Sequence, residues 1–292
     1  MQLKVIDFNA RFMQDYMQWC QEQEGQEEAQ EQMEDQFYEL YESWMESPKQ
    51  WLEGKSPEQY FQEIGDPQMY VSAVIEYVLE EVELPDPLLH CLEEQKKEIY
   101  PILLGILNAQ KPEDFQLTAE QLLEVQGHAV SLIQQLNLQH PYAQYLKILR
   151  ELTEECLFAE EATQALAQAG QALKDQVYEA YVTAQGYAKK CLLDLISYYS
   201  GDPKALEILL EEFEAPEADL AFLAECLGRL GDEGALDSLR RAIADDGIQY
   251  YEFRELRNAI EAISGQEVPE RDFSGDALYD YLASGQGEDG IV

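Results

Sequence analysis

The sequence contains few basic residues. Only 19 of its 292 residues are Lys or Arg, against 59 Asp and Glu, so its formal net charge is −40. Nucleic-acid binding requires Lys and Arg to neutralise phosphates, and anionic membranes attract basic segments. The composition therefore argues against nucleic-acid and membrane partners. It favours attraction of a basic protein or of cations, or a role of the charge in solubility alone.

Cysteine is too scattered for a disulfide framework. The five cysteines are an odd number, none lies in a C-x-x-C pair, and most have apolar helix residues beside them. This pattern predicts small core side chains in a reducing compartment. No basic-headed apolar leader opens the sequence, and no apolar run approaches 18 residues, the length of a membrane span. These absences predict a cytoplasmic protein.

Recognised catalytic and metal-binding patterns are also missing. The three histidines show no H-x-x-x-H spacing, and the pair Glu124 and His128 would supply only two metal ligands. Adjacent carboxylates such as Glu80 and Glu81 do not face each other on a helix. There is no nucleophile elbow and no phosphate-binding glycine loop. The sequence therefore predicts no catalytic residue, no metal site and no cofactor.

Helical periodicity and helix-start signals, by contrast, are abundant. Residues 9–46 predict two helices separated near Gly25, and the second carries an aromatic stripe with Phe37, Tyr41 and Trp44. No Lys or Arg occurs from Tyr16 to Glu46. Side-chain caps are predicted to start helices at Ser47, Ser56, Asp66, Asp86, Thr118 and Asp202. With no hairpin signal and no sustained alternation, the prediction is an all-α fold.

The most regular stretch is LGRLGDEGALDSLRRAIADD, at residues 227–246. It reads as an apolar helix, a Gly-Asp turn and a second apolar helix. A similar arrangement lies about 30 residues upstream around Gly201 and Asp202, and a third first helix runs from Leu256 to Gly265. One helix pair in each unit of 20–50 residues predicts a solenoid.

Residues 217–265 resemble the HEAT-like repeat, in the short form found in bilin lyases and many bacterial scaffold proteins. The likeness lies in Leu223, Ala224, Leu227, Gly228, Leu230, Gly231, Asp232, Ala235, Leu236, Leu239, Ala242 and Ile243. Residues 188–214 match the same repeat more loosely. The resemblance implies a right-handed superhelix of antiparallel helix pairs whose concave surface holds another molecule. It implies little about chemistry, because such repeats serve enzymes, scaffolds and adaptors alike.

The chain divides by composition and pattern into four predicted regions. Residues 1–65 form an acidic, irregular helical cap or accessory region. Residues 66–187 are helical and compatible with degenerate repeats, and residues 188–265 are the HEAT-like repeats. Residues 266–292 are a polar C-terminal tail with a short helix at 276–283.

Positive charge is concentrated in one region. Five of the eight arginines fall within residues 229–257, and Arg240 and Arg241 lie on the predicted helix that precedes that of Arg254 and Arg257. Guanidinium groups suit carboxylate or phosphate partners, so one hypothesis is a site for an anion or an acidic peptide. The alternative is internal pairing with carboxylates such as Glu225 and Asp237. The candidate residues are Arg229, Arg240, Arg241, Arg254, Arg257, Tyr250 and Tyr251.

These observations predict a non-enzymatic scaffold or adaptor that binds another protein. One alternative is an acidic mimic or immunity-type inhibitor of a basic protein. A second is an enzyme or chromophore-handling protein, as implied by the resemblance to bilin lyases. A third is a structural or regulatory protein that homodimerises through exposed aromatic patches. The sequence does not specify the partner or the oligomeric state.

Overall fold

The computed structural model describes residues 4–23 and 29–283, and every regular element in these ranges is a helix. The predicted all-α class is confirmed for this part of the chain. The chain forms two compact units. The N-terminal unit comprises Met1–Gln144 and Cys156–Ala162, and the C-terminal unit comprises Tyr145–Glu155 and Thr163–Val292.

Seven helices are described within the first stretch of the N-terminal unit. They are α1 (Phe8–Gln23), α2 (Ala29–Glu46), α3 (Pro57–Gln62), α4 (Pro67–Leu79), α5 (Asp86–Glu94), α6 (Lys96–Leu107) and α7 (Ala119–Gln135). The predicted helix pair over residues 9–46 is confirmed as α1 and α2, while Gly25 lies outside the described residues. Two further helices, α8 (Tyr142–Leu149) and α9 (Leu157–Ala169), each contribute residues to both units.

The core of the N-terminal unit is rich in aromatic side chains. Tyr77 is fully buried on α4, and its hydroxyl donates a 2.9 Å hydrogen bond to the carbonyl of Ile6. The segment before α1 is thereby held against α4. Phe8 and Phe61 are also buried, with ring centroids 5.6 Å apart. Because these contacts join distant parts of the sequence, they hold α1 against the body of the unit.

Four of the six predicted helix caps are confirmed. Ser56 and Thr118 form complete capping boxes, while Asp66 and Asp202 accept hydrogen bonds from backbone N–H groups two residues later. The prediction for Ser47 is wrong, because its hydroxyl donates instead to the carbonyl of Trp44 at the end of α2. Only a short 3-10 turn, Gln50–Leu52, follows it.

The cap predicted at Asp86 is wrong as well. Pro85 occupies the N-cap position with extended backbone, and Asp86 is itself the first helical residue. The Asp86 carboxylate lies beside the Tyr41 hydroxyl rather than over the backbone of its own helix. A Pro immediately before the Asp-Pro pair therefore shifts the helix start by one residue.

The helices of the C-terminal unit follow one another with short connections. They are α10 (Lys174–Thr183), α11 (Gly186–Ile196), α12 (Pro203–Phe213), α13 (Leu220–Leu230), α14 (Leu236–Ile243), α15 (Tyr250–Ser264) and α16 (Ala277–Ala283). The short helix predicted in the tail is confirmed as α16, and Asp276 caps its first turn. Residues 284–292 lie outside the described part of the chain.

The two predicted Gly-Asp turns have the same geometry. Gly201 and Gly231 have φ angles of 77° and 74°, a left-handed conformation that side chains with a Cβ disfavour. The aspartate that follows each glycine then accepts a hydrogen bond from the backbone N–H two residues later. Gly231 is the C-cap of α13, whereas α11 already ends at Ile196 before Gly201. Asp202 caps α12, and Asp232 caps the 3-10 turn that leads into α14.

Side-chain contacts in this unit recur at a separation of about one predicted repeat. Tyr181 bonds to Glu212, Lys190 to Asp219 and Arg229 to Asp194, at sequence separations of 31, 29 and 35 residues. The backbones of α13 and α15 also approach closely. A Cβ added to Gly228 would lie 3.0 Å from the Cα of Ala259. In the described part of the chain, no helix is long and apolar enough to cross a bilayer.

Candidate functional site

Arg229, the first of the predicted anion-binding arginines, belongs to a polar network between α11 and α13. Its guanidinium group pairs with Asp194 and donates to Glu225 at 2.6 Å and to the Ser197 hydroxyl at 2.9 Å. The same group lies 4.6 Å from the ring centroid of Tyr198. Arg229 therefore donates to a side chain of its own helix and to side chains at the end of α11.

Three further arginines of this group also have carboxylate partners. Arg241 on α14 bonds to Glu214 at 2.8 Å, and Arg254 on α15 bonds to the adjacent Glu255 at 2.8 Å. Arg257 forms an ion pair with Glu270, although its buried Nε has no hydrogen-bond partner among the described residues. An incoming anion would have to compete with these carboxylates.

Arg240 and the two tyrosines are placed differently. Arg240 is exposed on α14, and no ion pair of its side chain occurs in the described part of the chain. Tyr250 packs edge-on against the rings of Phe273 and Tyr279, so it anchors the segment that leads to α16. Tyr251, the next residue, is exposed. Of these three residues, Tyr250 therefore packs within the unit, whereas Arg240 and Tyr251 are exposed to solvent.

Arg271, which no sequence pattern singled out, also contributes to this region. Its guanidinium group lies 5.2 Å from the ring centroid of Phe253 and donates to the carbonyls of Ile243 and Asp245. These carbonyls belong to the end of α14 and the residues after it. A cation at a helix C-terminus satisfies otherwise unpaired carbonyl groups, so Arg271 closes α14 rather than presenting a free charge.

A second candidate site, which the sequence analysis also missed, is a groove in the N-terminal unit. Residues of α1, α2, α3 and α5 line it, and its volume is about 760 Å³. Its floor is formed by Phe12, Phe37, Tyr41 and Met45. We call this feature the aromatic groove. Sites of this size hold a small molecule or the anchoring side chains of a partner.

Ring-to-ring packing fixes the floor of the aromatic groove. Phe12 is buried, and its ring meets those of Phe37 and Tyr41 edge-on, with centroids 5.3 and 5.0 Å apart. The Tyr41 hydroxyl donates a 3.0 Å hydrogen bond to the side-chain oxygen of Asn9. Because α1 and α2 both supply these rings, the pairing of the two helices creates the floor.

The wall of the groove extends outward through two exposed side chains. Tyr38 is 75% exposed and Met13 is 40% exposed, although both line the groove. Exposed apolar side chains beside a packed aromatic floor produce a continuous apolar surface whose exposure to water is unfavourable. Such patches, when rimmed by polar groups, mark interaction sites.

The rim of the aromatic groove is acidic. Glu42, Glu46, Glu58 and Asp86 line it together with His90, and no Lys or Arg does so. None of the four carboxylates forms an ion pair with a described residue. Burial raises the pKa of the Tyr41 hydroxyl, and the charges of Asp86 and Glu83 raise it further. The groove is therefore a region of unrelieved negative charge over an apolar floor.

The basic residues near α1 and α2 are engaged elsewhere. The guanidinium group of Arg11 lies 4.3 Å from the Trp51 ring centroid, and the Lys49 ammonium lies 4.0 Å from that of Trp44. Lys49 also donates to the Ser47 hydroxyl at 2.7 Å. These cation–π contacts stabilise the turn after α2. They leave the rim carboxylates without an internal counter-ion among the described residues.

Ionisable groups elsewhere in the described residues show no reactive arrangement. Three of the five cysteines are buried, and burial raises the pKa of Cys226 to about 12. A thiol of this kind stays protonated at neutral pH and is a poor nucleophile. Glu124 and His128 are 3.8 Å apart, but no group of three metal-ligating side chains occurs in the described ranges.

Comparison of the chain with protein-family models, with curated proteins and with solved structures finds no match. The features that bear on function are therefore those of the molecule itself. They are the ion-paired arginines of the C-terminal unit and the aromatic groove of the N-terminal unit.

Proposed function

We propose that this chain is a non-enzymatic scaffold or adaptor that acts by binding another protein. The observation that carries this proposal is the aromatic groove. Its floor consists of packed rings, its wall exposes Tyr38 and Met13, and its rim carries carboxylates that form no ion pair with a described residue. Aromatic side chains and methionine are enriched in protein interfaces, and an unpaired charged rim suits a partner of opposite charge.

The C-terminal unit would supply a rigid support, as a HEAT-like array. Two features favour this assignment for α11 to α15. Gly201 and Gly231 both have left-handed φ angles, and side-chain contacts between helices recur at separations of 23 to 35 residues. In a solenoid each unit contacts only its neighbours, so contacts are expected at separations of about one repeat. A right-handed superhelix of antiparallel helix pairs is the arrangement we propose.

A second candidate function is an acidic mimic that inhibits a basic protein. The net charge of −40 favours it. A mimic relies on charge, so its binding falls steeply as salt concentration rises. Binding through the aromatic groove has an apolar component that salt does not screen. The salt dependence of complex formation therefore separates the two candidates.

Affinity capture with matched surface variants tests the proposal. The groove variant is Met13→Glu/Tyr38→Glu, and the control is Leu278→Glu/Val182→Glu in the C-terminal unit. The altered side chains are comparably exposed, at 40% and 75% in the groove and 38% and 77% in the control. Both variants change the charge equally, and neither removes a buried side chain.

We expect specific proteins to be retained by the wild type and by the control, and to be lost from the groove variant. Quantitative mass spectrometry of the retained proteins measures this difference. Retention that does not depend on the groove would contradict the proposal. So would turnover of a substrate by the purified chain in an activity screen.

A further inference from the structure

We infer that the aromatic groove binds a cationic amphipathic helix of a partner protein, with the apolar face of that helix on Met13, Phe37 and Tyr38. Its Lys and Arg side chains would face Glu42, Glu46 and Asp86. This inference rests on the proposed protein-binding function and specifies the chemistry of the partner.

The open wall of the groove favours a helix over a small molecule. Small-molecule sites bury about 70–90% of their ligand, whereas Tyr38 remains 75% exposed at the groove edge. An amphipathic helix places apolar anchors at every third or fourth residue and can extend beyond the groove. Met13 and Met45 line the site, and methionine adapts to differently shaped apolar side chains.

The arrangement of the rim charges favours a cationic partner. Glu42 and Glu46 are four residues apart on α2, so they lie on the same helix face. Like charges at this spacing repel each other, and neither residue has an ion-pair partner in the described part of the chain. Asp86 and Glu58 add negative charge from α5 and α3. A row of Lys or Arg side chains would relieve this repulsion.

The charges of this chain favour a different molecule as the partner. The segments outside the described ranges, residues 1–3, 24–28 and 284–292, contain no Lys or Arg. They therefore cannot supply the cationic face. A second copy of the chain carries a net charge of −40, and four of the five clustered arginines already bind carboxylates. Charge complementarity therefore selects a basic protein.

Synthetic peptides of about 18 residues, long enough for a marginal helix, provide direct probes. The first contains Leu and Lys at amphipathic helical spacing, the second has the same composition in permuted order, and the third replaces Lys by Glu. Each is labelled with fluorescein and titrated with the full chain, and anisotropy gives Kd. We expect the first peptide to bind at least tenfold more tightly than the second, and the third not to bind. Circular dichroism should show helix formation on binding.

Charge-reversal variants locate the site. The groove variant is Glu42→Lys/Glu46→Lys, and the matched control is Glu207→Lys/Glu211→Lys on α12. Both pairs are exposed glutamates at i, i+4 spacing, so the charge change is identical. We expect Kd to rise at least tenfold in the groove variant and less than twofold in the control. The milder Glu42→Gln/Glu46→Gln variant should give an intermediate increase and guards against misfolding of the reversal variant.

Several outcomes would overturn the inference. Equal binding of the amphipathic and permuted peptides would indicate attraction by charge alone. Equal loss in the groove and control variants would place binding on another surface. Displacement of the peptide by millimolar tetramethylammonium would indicate a site for small cations.

If no peptide binds while groove-dependent protein capture persists, the cationic helix is wrong but the protein-binding function stands. If groove-dependent capture is also absent, the proposed function fails too.

Discussion

The two units of this chain handle charge in different ways. In the C-terminal unit, Arg229 joins α11 to α13 through Asp194, and Arg241 on α14 bonds to Glu214 after α12. In the N-terminal unit, the rim carboxylates of the aromatic groove, such as Glu42 and Glu46, have no such partners among the described residues. One acidic composition thus produces carboxylate–arginine pairs between helices of the C-terminal unit and a groove rim without such pairs in the N-terminal unit.

This difference indicates which surface is available for binding. Carboxylates paired across helices help to align the helices that carry them, although exposed pairs contribute only about 0–1 kcal/mol each. The rim carboxylates around the aromatic groove form no such ion pairs between helices among the described residues. We therefore infer that the C-terminal ion pairs help to align the helices, whereas the aromatic groove binds a partner. Variants that separate stability from binding test this assignment.

The largest expected effect is loss of stability from truncating the C-terminal core. Leu227 on α13 is fully buried, so Leu227→Ala should lower the free energy of unfolding by about 2–5 kcal/mol. Tyr38→Ala, at an exposed groove position, should change it by less than about 0.5 kcal/mol. Urea unfolding followed by circular dichroism measures both. The assignment would be wrong if Tyr38→Ala destabilised the chain as strongly as Leu227→Ala.

A somewhat smaller effect is expected where α13 approaches α15. A Cβ at Gly228 would lie 3.0 Å from the Cα of Ala259 and 3.2 Å from its Cβ, so Gly228→Ala should cost about 1–3 kcal/mol. Adding Ala259→Gly should recover part of this loss. In the N-terminal unit, Gly105 on α6 has open space around it. Gly105→Ala should therefore stabilise by about 0.5–1 kcal/mol. Equal effects at both glycines, measured by thermal unfolding, would contradict the close approach.

Local features of the fold could be predicted from the sequence because local interactions determine them. The caps at Ser56 and Thr118 require only a hydroxyl and a Gln three residues later. The Gly-Asp turn at Gly231 depends on the freedom of glycine alone. The cap predictions for Ser47 and Asp86 are wrong because a neighbouring residue takes either the hydroxyl that would form the cap or the N-cap position itself. Trp44 accepts the hydroxyl of Ser47, and Pro85 takes the N-cap site.

The candidate sites were harder to predict because they depend on helix packing. The sequence indicates that residues from Tyr16 to Glu46 lack Lys and Arg and that Phe37 and Tyr41 share a helix face. It does not indicate that Phe12 of α1 meets these rings or that Asp86 of α5 closes the rim. The clustered arginines are near each other in sequence, yet three of the carboxylates that pair with them, Asp194, Glu214 and Glu270, come from other segments.

A double-mutant cycle should detect the pairing between α11 and α13. Arg229→Met and Asp194→Asn each remove one partner, and we expect a coupling free energy of about 0.5–1 kcal/mol. The same cycle on the rim residues Glu42→Gln and Glu46→Gln should give coupling of opposite sign, because removing either charge relieves repulsion. Urea unfolding of the single and double variants supplies both values. A coupling near zero for Arg229 and Asp194 would mean that this contact does not hold the two helices together.

The smallest expected effect concerns helix caps that do or do not have a counter-ion. Asp202 caps α12 and pairs with Lys174 at 2.8 Å, and this contact together with the Lys204 N–H lowers the pKa of its carboxyl group. A lowered pKa stabilises the folded state above the unfolded value of about 3.9, and the stabilisation is lost as pH falls through the folded value. Asp202→Asn keeps the cap, so it should cost about 0.5 kcal/mol at pH 7 and nothing at pH 2.

Asp66, which caps α4 with no ion-pair partner in the described ranges, is the matched control. Asp66→Asn should leave the unfolding free energy nearly unchanged at both pH values. A cost for Asp202→Asn that persisted at pH 2, or an equal cost at Asp66, would mean that the charged pair adds nothing to the architecture of the C-terminal unit.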